Sequence, residues 1–117
     1  MNDETVPPVD FKGLVTSLAT SAVMVLGQVE VILETGRVPG EDDAELSADD
    51  LQKRVSDGLQ GARQLIDTLA VLEEKTRGNL DGEENELLQT ALSELRIRFV
   101  TFANRPAGGV TTPGESE

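Results

Sequence analysis

The charged side chains of this chain are carboxylates, ammoniums and guanidiniums, and it contains no Cys, His, Trp or Tyr. Thiol nucleophiles, imidazole acid–base chemistry, disulfides and the usual zinc and haem ligands are thereby excluded. Acid is in excess: 22 Asp and Glu against 10 Lys and Arg give the 117 residues a net charge of −12. That surplus argues against a polyanionic partner, whether nucleic acid or an anionic membrane. Three Phe are too few to build a stacking platform for bases. The charged groups leave general acid–base work by paired carboxylates to be weighed, which requires a cleft that shifts one pKa away from the other. Glu73-Glu74 and Glu83-Glu84 flank a short turn that also holds Lys75 and Arg77, so four carboxylates could lie near one another. Glu73 and Arg77 have the i,i+4 spacing of a helical ion pair. A solvated, charge-paired turn is the simpler reading, because no aromatic or amide groups converge there to shape a pocket. On that reading Glu74, Lys75, Arg77 and Asn79 are candidates for contact with a partner rather than for catalysis.

Metal and phosphate chemistry fail on spacing. Setting Gly82 at the glycine of an EF-hand loop places Arg77 first and Leu88 twelfth, where carboxylates are required. Asp81, Glu83 and Glu84 read better as residues that start a helix. Glu41-Asp42-Asp43 reads as a solvated loop rather than an ion site. No glycine-rich phosphate loop is present. Gly58-Leu-Gln-Gly61 lacks the basic residues and flanking strands of a nucleic-acid clamp, so a helix break or close packing is its default. Arg96 and Arg98 make too small a basic spot for a nucleic-acid footprint, and Glu94 can pair with Arg98. No catalytic residue, cofactor or metal is expected.

The elements that position these residues are helices. Asp10 is a candidate N-cap and Gly36 a candidate stop for a first helix over residues 10–35. Its apolar positions Phe11, Val15, Leu18, Ala22, Val25, Val29 and Ile32 step by four and three, and Leu14, Leu26 and Leu33 widen the stripe. The resulting arc of roughly 140° suits a bundle core rather than a lone coiled-coil seam. A second helix covers Leu59–Thr76 with the stripe Leu59, Ala62, Leu65, Ile66, Leu69 and Leu72, ending at Gly78. Upstream, Ser47-Ala-Asp-Asp50 resembles a capping box, while Gly58 and Gly61 each cost about 1 kcal/mol inside a helix. Two arrangements fit: a short helix over 48–55 before a main helix over 57–77, or one long helix that tolerates both glycines. The break is favoured. A third helix over 82–103 starts at the Asp81 cap and carries Leu87, Leu88, Ala91, Leu92, Leu95, Phe99 and Phe102 on one side. The connection Arg77–Leu80 is short enough to make the second and third helices antiparallel neighbours. Residues 1–9, the acidic loop 37–46 and residues 105–117 are rich in Pro, Gly and charge and read as disordered. The first residues are acidic where a signal peptide needs a basic start. The uncharged run Gly13–Val29 reads as too short and too polar to span a bilayer, so a soluble cytoplasmic protein is expected.

One feature exceeds what a small bundle needs. Away from its apolar arc, the first helix carries Gly13, Ser17, Thr20, Met24, Gly27 and Val31, again stepping by four and three. This second stripe is uncharged and mostly small, whereas an exposed helix face normally carries Lys and Glu. Small residues at this spacing let another helix approach closely, most simply the same helix of a twofold mate in a homodimer. The competing reading is an ordinary polar surface that happens to lack charge.

The run ARQLIDTLAVLEEKTRGNL from Ala62 to Leu80 resembles the signature of a small bacterial family known as domain of unknown function 1844. Glu83-Glu84, Leu87-Leu88 and Leu95–Val100 fit its third helix, and Phe11, Leu14, Ser17–Ala19, Ser21-Ala22 and Leu26-Gly27 fit its first. The resemblance covers about Phe11–Gly27 and Leu59–Val100, with Arg37–Ser56 looking like an enlarged linker. It implies a helical fold and a bacterial source and adds no catalytic residue. The expected fold is all-α: three helices with an antiparallel hairpin of the second and third, completed by dimerisation through the first. The expected function is a non-enzymatic, oligomeric module that binds another protein as an adaptor or regulatory subunit, for instance of a small GTPase or response regulator. The alternative is an enzyme or small-ligand protein working through carboxylates and arginines at the turn after the second helix.

Overall fold

The computed structural model describes residues 9–38 and 47–105; the expectations for residues 1–8, 39–46 and 106–117 lie outside them. Three helices follow in order: α1 (Phe11–Thr35), α2 (Ala48–Lys75) and α3 (Gly82–Ala103), with no strand among the described residues. The fold is all-α.

Each helix begins where a side chain can accept a backbone N–H left over by the first turn. The Asp10 carboxylate accepts from the Gly13 N–H at 2.8 Å, and the Ser47 hydroxyl from the Asp50 N–H at 3.1 Å. Asp81 and Glu84 form a full capping box, each carboxylate accepting from the other's N–H at 2.7 and 3.0 Å. The exits are equally local. Gly36 closes α1 with φ +73°, a left-handed conformation that favours glycine, and its N–H donates to the Ile32 carbonyl. Between α2 and α3 the chain turns through Gly78 at φ +87°, and the Asn79 N–H donates to the Thr76 carbonyl at 2.8 Å. This tight turn sets α2 and α3 antiparallel, as the short connection requires.

Ala48–Lys75 is one continuous helix, which corrects the favoured break near Gly58. Its first turns are held by the Ser47 cap, by Asp49 and Asp50 at the positive end of the dipole, and by Val55, which is buried. Gly58 marks a close approach of α2 to α1: a Cβ there would lie 2.6 Å from Cγ2 of Val29. A Cβ at Gly61 would meet nothing within 4 Å, and nothing in the structure explains that glycine.

The core is a single apolar cluster drawn from all three helices. Val15, Ala22, Leu26, Val29, Ile32 and Leu33 come from α1; Val55, Ala62, Ile66 and Leu69 from α2; Leu88, Leu92, Leu95 and Phe102 from α3. Burying each Leu, Val, Ile or Phe contributes about 1.5–3 kcal/mol relative to leaving it in water. Phe11, Leu18, Val25, Leu59, Leu65, Leu72 and Phe99 pack partly buried around the cluster. Leu14 departs from the expected stripe: it is 45% exposed, at the edge where the arc leaves the bundle.

The two glycines of α2 therefore behave oppositely. Gly58→Ala forces the stiff, buried Val29 side chain to move and is expected to destabilise by about 1–3 kcal/mol, despite alanine's better helix propensity. Gly61→Ala is expected to stabilise by up to about 1 kcal/mol. Urea unfolding of the two variants measures both, and equal effects would contradict the close approach.

Candidate functional site

The uncharged stripe of α1 lies opposite the core. At 100° per residue, Gly13, Ser17, Thr20, Met24, Gly27 and Val31 centre roughly 180° from the buried row Val15, Ala22, Leu26, Val29 and Leu33. Ser17 and Thr20 are exposed, Met24 is 62% and Val31 39% exposed, and Gly13 and Gly27 are half-buried. Leu14 and Val23, 45% and 40% exposed, extend the apolar surface at its two edges. All three charges of the helix, Lys12, Glu30 and Glu34, fall on the flank shared with Val23. The face between is neutral over its whole length. The six positions thus share one surface, which no described residue of the chain covers.

The turn between α2 and α3 also assembles its expected residues. Glu74, Lys75, Arg77 and Asn79 are all exposed there. The carboxylates nearby, however, have separate partners. Glu84 and Asp81 cap α3, Glu83 pairs with Lys12 across to α1 at 2.5 Å, and Glu73 accepts from the side-chain amide of Gln89. Among the described residues the anticipated Glu73–Arg77 pair does not form. A hollow of about 490 Å³ beside the turn is lined by Glu73, Arg77, Leu80, Asp81, Asn85 and Gln89. Two carboxylates reach it, one hydrogen-bonded to Gln89 and the other capping a helix, so each already serves to hold the fold. No group of three potential metal ligands occurs among the described residues.

Exposed apolar residues on the other helices were not anticipated. Val71 on α2 is 53% exposed, and Ile97 and Val100 on α3 are 64% and 56% exposed. Ile97 and Val100 are three apart, so they share a face, and that spacing was the available signal. By length and composition α1 also passes for a membrane span, with a stretch of mean hydropathy 1.6, so its 17-residue uncharged run understates the helix. Here its inner residues are the bundle's own core.

Helix order, caps and a shared apolar core define a small all-α domain whose first helix is wrapped on one side by the other two. The chain belongs to the domain of unknown function family DUF1844, whose model matches residues 8–101. That match runs through all three helices and includes the segment between α1 and α2, joining the two stretches on which the resemblance was read. No curated protein and no solved structure matches the chain.

The Lys12–Glu83 pair gives the site a titratable tie. Hydrogen bonding and charge from Glu83 hold the Lys12 ammonium above its ordinary pKa, with burial opposing. A raised lysine pKa stabilises the folded state fully below the unfolded value of about 10.4, and that gain is lost as pH rises through the folded value. The Tm difference between wild type and Lys12→Met is thus expected to hold up to about pH 10.4, to narrow as pH rises above it, and to shrink in high salt. A gap that responds to neither would show the pair to be inert.

Proposed function

We propose that this chain is a non-enzymatic helical interaction module, an adaptor or regulatory subunit that binds other proteins in the cytoplasm. The observation that carries this reading is the outer face of α1, which is neutral from Gly13 to Val31 in a protein of net charge −12. Apolar edges at Leu14 and Val23 make the face wider than the six-residue stripe. A regulatory partner such as a small GTPase or response regulator is the kind of client such a module would serve.

The simplest occupant of the face is a second copy. Its positions are symmetric about residue 22, so antiparallel pairing sets Gly13 against Val31, Ser17 against Gly27 and Thr20 against Met24. Gly13 then meets the larger Val31 and Thr20 the larger Met24, while Ser17 and Gly27 leave the backbones free to approach. Lys12 comes level with Glu30 and Glu34 of the mate, on the same side of the twofold axis, so opposite charges flank the contact. A helix of 25 residues is about 37 Å long and presents a strip about 10 Å wide. That covers less than the roughly 800 Å² per partner of a standard interface, so the dimer is expected to be concentration-dependent.

Light scattering after size exclusion tests the reading. The wild type is expected to move from monomer to dimer across the micromolar range, and Thr20→Glu to remain monomeric with an unchanged circular dichroism spectrum. A wild type that stays strictly monomeric, with Thr20→Glu indistinguishable from it, overturns the assignment of this face. Since the described residues include no native cysteine, Thr20→Cys combined with Met24→Cys reports the register. Antiparallel pairing links position 20 to position 24, whereas parallel pairing links like to like.

A further inference from the structure

The α2–α3 hairpin opens, at the end far from its turn, into a groove of about 230 Å³. Val55 and Leu59 of α2 and Phe99 of α3 give it an apolar lining, with Gln60 beside them. Arg63 and Arg105 line it from the two sides, and no carboxylate is among its lining residues. In a chain with 22 acidic and 10 basic residues, a hollow lined by two arginines and no acid is a local reversal of the overall charge. Val55 is buried, Leu59, Phe99 and Arg105 are half-buried, and Arg63 is exposed. Arg63 does meet Asp67, but through Nε at 3.8 Å on a solvent-exposed helix face, a contact of little worth.

Size and charge together select the occupant. Sites for drug-sized molecules or cofactors occupy about 300–1,000 Å³, so this groove is too small for one. It has room for one or two apolar side chains, and a channel between two helices is the usual seat for an amphipathic segment. The guanidiniums call for carboxylates next to those side chains, since Arg recognises them with paired, charge-assisted hydrogen bonds. The surplus negative charge of the chain does little to repel an acidic partner from afar. Beyond a Debye length of about 8 Å at physiological salt that repulsion is screened, and at contact the nearest charges decide.

We propose that the groove between Val55–Arg63 and Phe99–Arg105 docks a partner-protein segment carrying apolar anchors next to Asp or Glu. This rests on reading the chain as a protein-binding module, but it uses a surface separate from the outer face of α1. The two can therefore fail independently.

The test titrates the isotope-labelled full chain with a short acetylated, amidated peptide of Leu and Asp at helical spacing, its Leu and Lys counterpart, and decanoate. The acidic peptide is expected to shift backbone amides along Gln52–Arg63 and Phe99–Arg105, and the basic peptide to leave them in place. Arg63→Glu and Arg105→Glu are each expected to weaken the acidic peptide about tenfold, with Arg63→Lys retaining most of the binding. Thr20→Glu is expected to bind as the wild type does, which keeps this result separate from that of the α1 face. The proposal is overturned if the groove amides stay unmoved, if both peptides bind alike, or if Arg63→Glu binds normally. It is overturned equally if decanoate saturates the groove while the peptide does not, or if groove amides shift with protein concentration alone. Those outcomes mark a small-molecule site and a contact between copies, respectively.

Discussion

The structure depends on how closely α2 can lie against α1. At Gly58 the α2 backbone comes within a methyl group's reach of Val29, a buried β-branched residue with one strongly preferred rotamer in a helix. That contact brings the stripes of both helices into one cluster, in which α1 supplies six buried residues. If the two helices stood further apart, Val15, Leu26 and Leu33 would face a gap rather than side chains, and close packing would be lost. The third helix then closes the cluster from the other edge of α1, where Lys12 reaches Glu83. One missing side chain thus sets the spacing that the apolar residues need.

Because α1 is covered on one side only, its outer face has to be explained by something other than the core. Burial alone would tolerate any polar residue there, and water would favour charge. The charges of the helix are instead gathered on one flank, leaving small and apolar residues on the rest. The acidic surplus of the chain is placed differently: on caps, in the segments beside the helices, and along α2 and α3. Charge and neutrality are therefore segregated on the surface of the described residues.

Much of this fold was legible in the sequence because its signals are local. Asp10, Ser47 and Asp81 announce their helices by residue type and position, and Gly36 and Gly78 take the left-handed turns expected of glycine near helix ends. Of the two readings open at Gly58, a helix break and close packing, the sequence favours the break because the deciding contact is tertiary. Nothing beside Gly58 in the chain reveals that Val29 faces it, so the propensity penalty of glycine weighs more. The turn carboxylates were legible in part. Asp81 and Glu84 cap α3 as residues that start a helix should. The distant partners Lys12 of Glu83 and Gln89 of Glu73 have no local signal, and the i,i+4 spacing of Glu73 and Arg77 points to a pair that does not form among the described residues. Arg63 and Arg105 lie far apart in the chain and share a groove only once the hairpin has formed.

The order of the helices has a consequence for how the protein is made. A chain emerges from the ribosome N-terminal end first, so α1 appears before the two helices that cover its inner side exist. For that interval both faces of a helix with the length and hydropathy of a membrane segment are open to whatever is nearby. The α2–α3 hairpin, joined by a short turn and held by local caps, assembles from near neighbours and so belongs to the quickly forming kind of structure. Rapid closure of that hairpin is what shortens the exposure of the helix made before it.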